Sequence, residues 1–154
     1  MIYFFDSSAL VKLYHRERGS EVVEALFAEP GHQIIVSRLA GVEFHSALAL
    51  KVRTGHLDAA ESLALRLRFL EHVTSGAIML LGVHANHYAN AEDLIVQHGN
   101  RKGLRTLDAL QLAVALDVQA RVGLDAFVVA DTAFAEIAKA QGVSVTNPEA
   151  TSGP

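Results

Sequence analysis

The chain contains no cysteine. Disulfides, thiolate metal sites and cysteine nucleophiles are therefore excluded, and any metal must be held by oxygen or imidazole; oxygen-rich sites suit Mg²⁺ and Mn²⁺. Positive charge is also scarce: 13 Lys and Arg stand against 17 Asp and Glu, a net charge of −4, which argues against a broadly basic nucleic-acid binder but leaves room for a local basic patch or a metal-mediated phosphate contact. No apolar run approaches the ~20 residues that would span a bilayer, and the first residues lack a basic leader with a cleavage site, so a cytoplasmic protein with no membrane association is expected. Repeats, low-complexity blocks and convincing linkers are lacking too. A chain of 154 residues is then expected to form one domain over 1–146, with a frayed tail at 147–154 rich in Pro, Ser, Thr and Gly. What is abundant is apolar surface: 51% hydrophobic residues and a mean hydropathy of +0.26 point to an apolar face covered by another copy or a partner.

Short apolar runs predict strands over Ile2–Phe5, Gln33–Val36, Ala77–Leu81 and Ala126–Ala130, with a further candidate at Val143–Val145. Between them, helical periodicity predicts helices over Ser8–His15, Ser20–Ala28, Leu39–Arg53, Leu57–Val73, His84–His98, Leu107–Val122 and Thr132–Gln141, with Gly99–Gly103 as a polar link. Alternating strands and helices imply an α/β fold whose mainly parallel sheet is covered on both faces, a three-layer α/β/α sandwich. Ligands bind such sheets at the carboxyl ends of the strands.

Four carboxylates stand out in that frame. Asp6 and Asp131 end the apolar runs Ile2–Phe5 and Phe127–Ala130, while Glu43 and Asp108 interrupt apolar helices. Asp6, Asp131 and Asp108 each read equally well as helix caps or first-turn acids. Glu43, inside a helix between Val42 and Phe44, is otherwise a solvent-facing border residue. Gathered together, the four would repel one another unless a cation neutralised them, and one or two Mg²⁺ or Mn²⁺ ions would serve phosphoryl-transfer chemistry there.

The segments Phe5-Asp6-Ser7-Ser8-Ala9-Leu10-Val11-Lys12, Ser37-Arg38-Leu39-Ala40-Gly41-Val42-Glu43-Phe44, Leu104-Arg105-Thr106-Leu107-Asp108-Ala109 and Val128-Val129-Ala130-Asp131-Thr132-Ala133-Phe134 resemble, in order and spacing, the four motifs of PIN-domain ribonucleases. Among these the chain is similar to the VapC toxins of toxin–antitoxin pairs. The resemblance implies a PIN-like sandwich, a Mg²⁺- or Mn²⁺-dependent endoribonuclease with Asp6, Glu43, Asp108 and Asp131 as catalytic metal ligands, a homodimer, and inhibition by a cognate antitoxin. Some relatives carry a further ligand near the fourth Asp, where this chain has Ala133 and Phe134, so one-metal and two-metal sites both remain open.

An RNA substrate needs cations for its phosphates, and the candidates are Lys12, Arg101, Lys102 and Arg105, with Arg38 nearby; each alone also reads as a solvated surface residue. Ser7 is a candidate for holding water, phosphate or a carboxylate, and Ser8 for capping the first helix. His84 and His87 have one-turn spacing but no carboxylate motif, and read as surface residues. Two other functions are open: a haloacid-dehalogenase-type phosphohydrolase, which would normally have an Asp where this chain has Ser8, and a non-catalytic PIN-like module that binds RNA or protein.

Overall fold

The computed structural model describes residues 1–150. Five parallel strands, β1 (Ile2–Phe5), β2 (Gln33–Ser37), β3 (Ile78–Leu81), β4 (Ala126–Val128) and β5 (Val145–Thr146), form one sheet in the order β3-β2-β1-β4-β5. Its helices are α1 (Ser7–Tyr14), α2 (Ser20–Ala28), α3 (Arg38–Arg53), α4 (Ala59–Thr74), α5 (Ala85–Lys102), α6 (Thr106–Val122) and α7 (Thr132–Ala140).

Alternation along β1 assigns the layers. Tyr3 and Phe5 point into a core with α1–α4, whereas Phe4 points into a second core with α5–α7. Both faces of the sheet are covered, as the near-continuous apolar strands require. The expected three-layer sandwich is what forms. Strand order runs outward from β1 through β2 to β3, then returns to the other side of β1 with β4. The reversal leaves a crevice at the carboxyl ends of β1 and β4, the topological switch point where doubly wound sheets bind ligands. Asp6 and Asp131 stand at that crevice, following β1 and β4.

Three details depart from the sequence reading. The helix α5 runs through Gly99 to Lys102, so Gly99–Gly103 is not a link. Gly103, at φ +67°, takes the left-handed conformation that ends the helix, and Arg101 and Lys102 fall in a last turn whose dipole favours cations. His87 is buried rather than at the surface: its Nδ1 accepts from the His84 backbone N–H at 3.0 Å, so its proton sits on Nε2, 3.3 Å from Asp117 Oδ2. Part of the segment expected to fray is tied down. Asn147 Nδ2 donates to the Ala130 carbonyl, Arg18 donates to the Glu149 carbonyl, and Glu149 Oε1 lies 2.6 Å from Lys12 Nζ. The rest of that segment, 151–154, lies outside the described residues.

Gly19 shows how close this C-terminal contact is. A Cβ there would sit 2.6 Å from the Pro148 carbonyl oxygen, and φ is +83°, so only glycine fits. No helix among the described residues is long and apolar enough to cross a membrane.

Candidate active site

Asp6 is the N-cap of α1. Its Oδ1 accepts from the Ala9 N–H at 2.8 Å and from the Ser8 hydroxyl at 2.7 Å. Ser8 in turn accepts from the Ala130 N–H at 3.1 Å, and so ties the loop after β1 to the loop after β4. Asp131 caps α7 in the same way, its Oδ1 accepting from Phe134 N–H at 2.8 Å. The cap reading and the ligand reading are therefore compatible. In each case one carboxylate oxygen satisfies an orphan N–H, a contact typically worth about 1 kcal/mol, and the cap fixes the direction of the other oxygen. Among the described residues Oδ2 of Asp6 and of Asp131 takes no hydrogen bond.

Glu43, half-buried on α3, accepts from Gln111 Nε2 at 2.5 Å. Asp108, in the first turn of α6, pairs with Arg105 Nε at 3.0 Å. Electrostatics shows which acids share the site. Burial pushes the Asp6 carboxyl from 3.8 up to about 7, and the nearby charges of Asp108 and Glu43 add to the rise against the Ala9 and Ser8 hydrogen bonds. Burial also raises the Glu43 carboxyl, with Asp108 adding to it. Asp131 joins through Arg105, whose guanidinium is held charged by Asp108 first and by Asp131 and Glu43 in smaller measure. Asp6, Glu43 and Asp108 thus lie near one another at the switch point, and the exposed Asp131 adjoins them at the rim through Arg105.

Two hollows flank them. The larger, about 560 Å³, is lined by Ser7, Ser8, Lys12 and Glu43 together with Lys51 and Arg53. The smaller, about 50 Å³, holds Asp108 and Asp131 with Lys102 and Arg105. Arg101, exposed at the end of α5, lines neither. Lys12 is only 4% exposed and already has Glu149 at 2.6 Å and Glu17 at 3.6 Å. A cation so engaged has little left for a phosphate, whereas Lys51 and Arg53 have more. Lys51 lies 3.7 Å from Glu17, and Arg53 forms no ion pair among the described residues. Sequence reasoning passed over both, although their place in the last turn of a helix that carries a candidate ligand was a usable signal.

Gln111 was also passed over. It is 1% exposed, lies one turn after Asp108, and donates to Glu43 Oε2 and, at 3.3 Å, to Ser7 Oγ, while its buried Oε1 has no partner among the described residues. A glutamine inside Leu110-Gln111-Leu112-Ala113, on the same helical face as an acid, is a readable anomaly.

The donors are all oxygen, and they are short of positive charge, as the raised Asp6 and Glu43 carboxyls show; both facts fit a hard divalent cation. Among the described residues no three Asp, Glu or His side chains converge tightly enough to form a ready-made cage. Mg²⁺ is ordinarily held by one or two carboxylates, waters and substrate phosphate rather than by an all-protein cage, so this spacing agrees with such an ion. The phosphohydrolase alternative needs a second carboxylate two residues after Asp6; the residue there is Ser8, and its hydroxyl is spent on Asp6 and Ala130.

None of the curated proteins compared with the chain is a significant match. Solved structures do resemble it. FitAcB from Neisseria gonorrhoeae is 19% identical with a TM-score of 0.68, covering 96% of this chain and 98% of its own. VapC20 of Mycobacterium tuberculosis, a sarcin–ricin-loop-cleaving toxin, is 19% identical with a TM-score of 0.67, covering 95% and 99%. VapBC2 from Rickettsia felis, bound to a DNA fragment from its promoter, is 16% identical with a TM-score of 0.65, covering 96% and 98%. At these identities the likeness establishes the fold. The family model of the PIN domain matches residues 3–140, nearly the whole described chain and all four acidic positions, and the protein therefore belongs to the PIN domain family.

Proposed function

We propose that the protein is a Mg²⁺- or Mn²⁺-dependent endoribonuclease, the toxin of a VapBC-type toxin–antitoxin pair acting in the cytoplasm. The observation that carries this reading is the under-neutralised carboxylate cluster at the switch point, where burial raises the Asp6 and Glu43 carboxyls and the nearby charge of Asp108 adds to both rises. Asp6, Glu43, Asp108 and Asp131 would hold the ion, directly or through water. Bound there, it supplies positive charge for the scissile phosphate and acidity for the attacking water. The chain's own groups do the rest. Ser8 and the Ala9 N–H hold Asp6 in place, Ser7 stands beside Glu43, and Lys51, Arg53, Arg105 and Lys102 offer charge to the RNA backbone on either side of the acids. Lys12 braces α1 through Glu149.

A protein partner is supported by the surface as well. Leu63, Leu67 and Leu70 follow one face of α4 and are each more than half exposed, the pattern an amphipathic antitoxin helix would cover. The exposed Val42, Leu107 and Val122 leave further apolar area for a second copy of the chain. Solved relatives include toxin–antitoxin complexes, which supports the same partner class for this chain.

Incubating the purified protein with single-stranded RNA, with Mn²⁺ or with EDTA, tests the reading. Cleavage should require the metal and be lost in Asp108→Asn; cleavage that persists in EDTA or in that variant overturns it. A second reading, a PIN-like module that binds without cleaving, draws on the absence of a three-ligand cage among the described residues. Failure of Mn²⁺ to bind saturably in calorimetry would favour it.

A further inference from the structure

We propose that Gln111 is a positioning residue of this site, its buried side-chain amide fixing the Glu43 carboxylate on α3 against Ser7 at the start of α1. The inference rests on the metal reading given above. Gln111 lies in the stretch Ala109–Ala115, which is buried on every side, and such a helix is ordinarily apolar all round. A leucine or methionine would fill the position without a polar group to satisfy. Instead Nε2 spans three elements, donating to Glu43 Oε2 on α3 at 2.5 Å and to Ser7 Oγ on α1 at 3.3 Å, from one turn beyond Asp108 on α6.

Only one way of seating the amide serves this purpose. An ionised carboxylate accepts and cannot donate, so Nε2 must face Glu43. Oε1 is then left buried with no partner among the described residues. The fold carries an unsatisfied oxygen in its core in order to present a donor to Glu43, the reverse of what stability alone would select. Glu43 needs such a support more than the other acids. Asp6 and Asp131 are short side chains held by cap hydrogen bonds, and Asp108 has Arg105, whereas Glu43 projects from mid-helix on a longer, more flexible stem. Partners of this kind, one bond removed from the metal, ordinarily matter by about 10- to 100-fold in metal affinity or activity.

The test replaces Gln111 by methionine, which keeps length and volume and removes both polar atoms. Calorimetry of the full chain with Mn²⁺ alone, without RNA, should show a dissociation constant weaker by about 10- to 100-fold. RNA cleavage should show kcat lowered in the same range with KM within about twofold, while the thermal midpoint in EDTA stays level or rises because the bare Oε1 is gone. In a Glu43→Ala background the same replacement should have no further effect on Mn²⁺ affinity, since the amide acts only through that carboxylate. If Gln111→Met fails to fold, the wild-type protein still decides the matter: the Gln111 side-chain NH₂ resonances should be protected from solvent exchange and should shift on addition of Mg²⁺, and unprotected, unshifted resonances overturn the proposal. Wild-type binding that Gln111→Met leaves within about twofold overturns the positioning role alone, while a wild type that binds no Mn²⁺ overturns the metal reading and this role with it.

Discussion

At the start of α6, Asp108 and Gln111 face Glu43 and the buried Asp6; further along the same helix, Asp117 faces His87 and Arg121. Both ends place carboxylates beside polar side chains, yet the carboxyls respond in opposite directions. The Arg121 guanidinium, 2.8 Å from Asp117 Oδ1, holds that carboxyl below the usual range, with the His87 N–H helping on the other oxygen. At the first end burial wins, and Asp6 rises to about 7. Counting cations explains the contrast. Asp117 has an adjacent base of its own, while Asp108, Asp131 and Glu43 share the largely exposed guanidinium of Arg105. A charge that its neighbours neutralise belongs to the architecture; a charge left short of partners is free to take a ligand.

The sharpest way to break this comparison is Asp6→Asn. Cleavage should fall by about 1000-fold or more, equivalent to about 4 kcal/mol of transition-state stabilisation. Metal-free stability should move the other way. Because the folded-state pKa of Asp6 lies above its value of 3.8 in the unfolded chain, the protein is favoured while the group is protonated and loses stability as pH rises from about 4 through about 7. The loss reaches up to about 4 kcal/mol above that pKa. Asparagine keeps the cap without the charge, so in EDTA the variant should gain on the wild type between pH 5 and pH 8. Urea unfolding at the two pH values checks this, and a gap that does not widen with pH rules out the burial account.

At the other end of α6, Asp117→Ala should leave cleavage intact and cost about 2 kcal/mol, because the buried His87 Nε2–H loses its acceptor and Arg121 loses its partner. The sign with pH is opposite as well. A depressed carboxyl pKa contributes stability that is present above about pH 4 and lost as pH falls through the folded value, so the difference between wild type and variant should shrink on acidification. Glu149→Gln probes a third, intermediate case. Lys12 would keep Glu17 at 3.6 Å but lose its 2.6 Å partner, for a loss of about 1.5 kcal/mol in denaturant titration and little change in Mn²⁺ affinity.

How much of this was legible in the sequence follows from what each feature depends on. Strand-end acids were readable because β1 and β4 are short apolar runs whose last residue is fixed by composition, and their meeting at the switch point follows from parallel topology. Gly99 was misleading because a glycine reads as a breaker wherever flanking residues are polar, while the helix here continues until Gly103 supplies a positive φ. Lys12 reads in sequence as a phosphate contact or a solvated surface residue, and His87 as a surface residue, because their partners, Glu149 and Asp117, lie far away in sequence. Burial of a charged residue is a property of the pair, and the pair is made only by folding. Gln111 could be noticed as an anomaly, but the identity of its partners required the packing of α1, α3 and α6.

Arg105→Ala carries the smallest effect on stability and separates two roles for the guanidinium that Asp108, Asp131 and Glu43 share. An exposed pair three residues apart on a helix is worth a few tenths of a kcal/mol at most, so unfolding should shift by less than about 0.5 kcal/mol. If Arg105 meets the RNA backbone, as proposed, the logarithm of RNA affinity against the logarithm of salt should become shallower by about 0.7, the contribution of one phosphate contact to a single strand, with Mn²⁺ affinity close to wild type. If its work is instead to stand in as counterion for Asp108, Asp131 and Glu43, the salt slope should stay fixed and Mn²⁺ should bind more tightly once the competing cation is removed. Titrations of salt and of Mn²⁺ on one variant therefore show whether the guanidinium shared by Asp108, Asp131 and Glu43 belongs to the substrate or to the site.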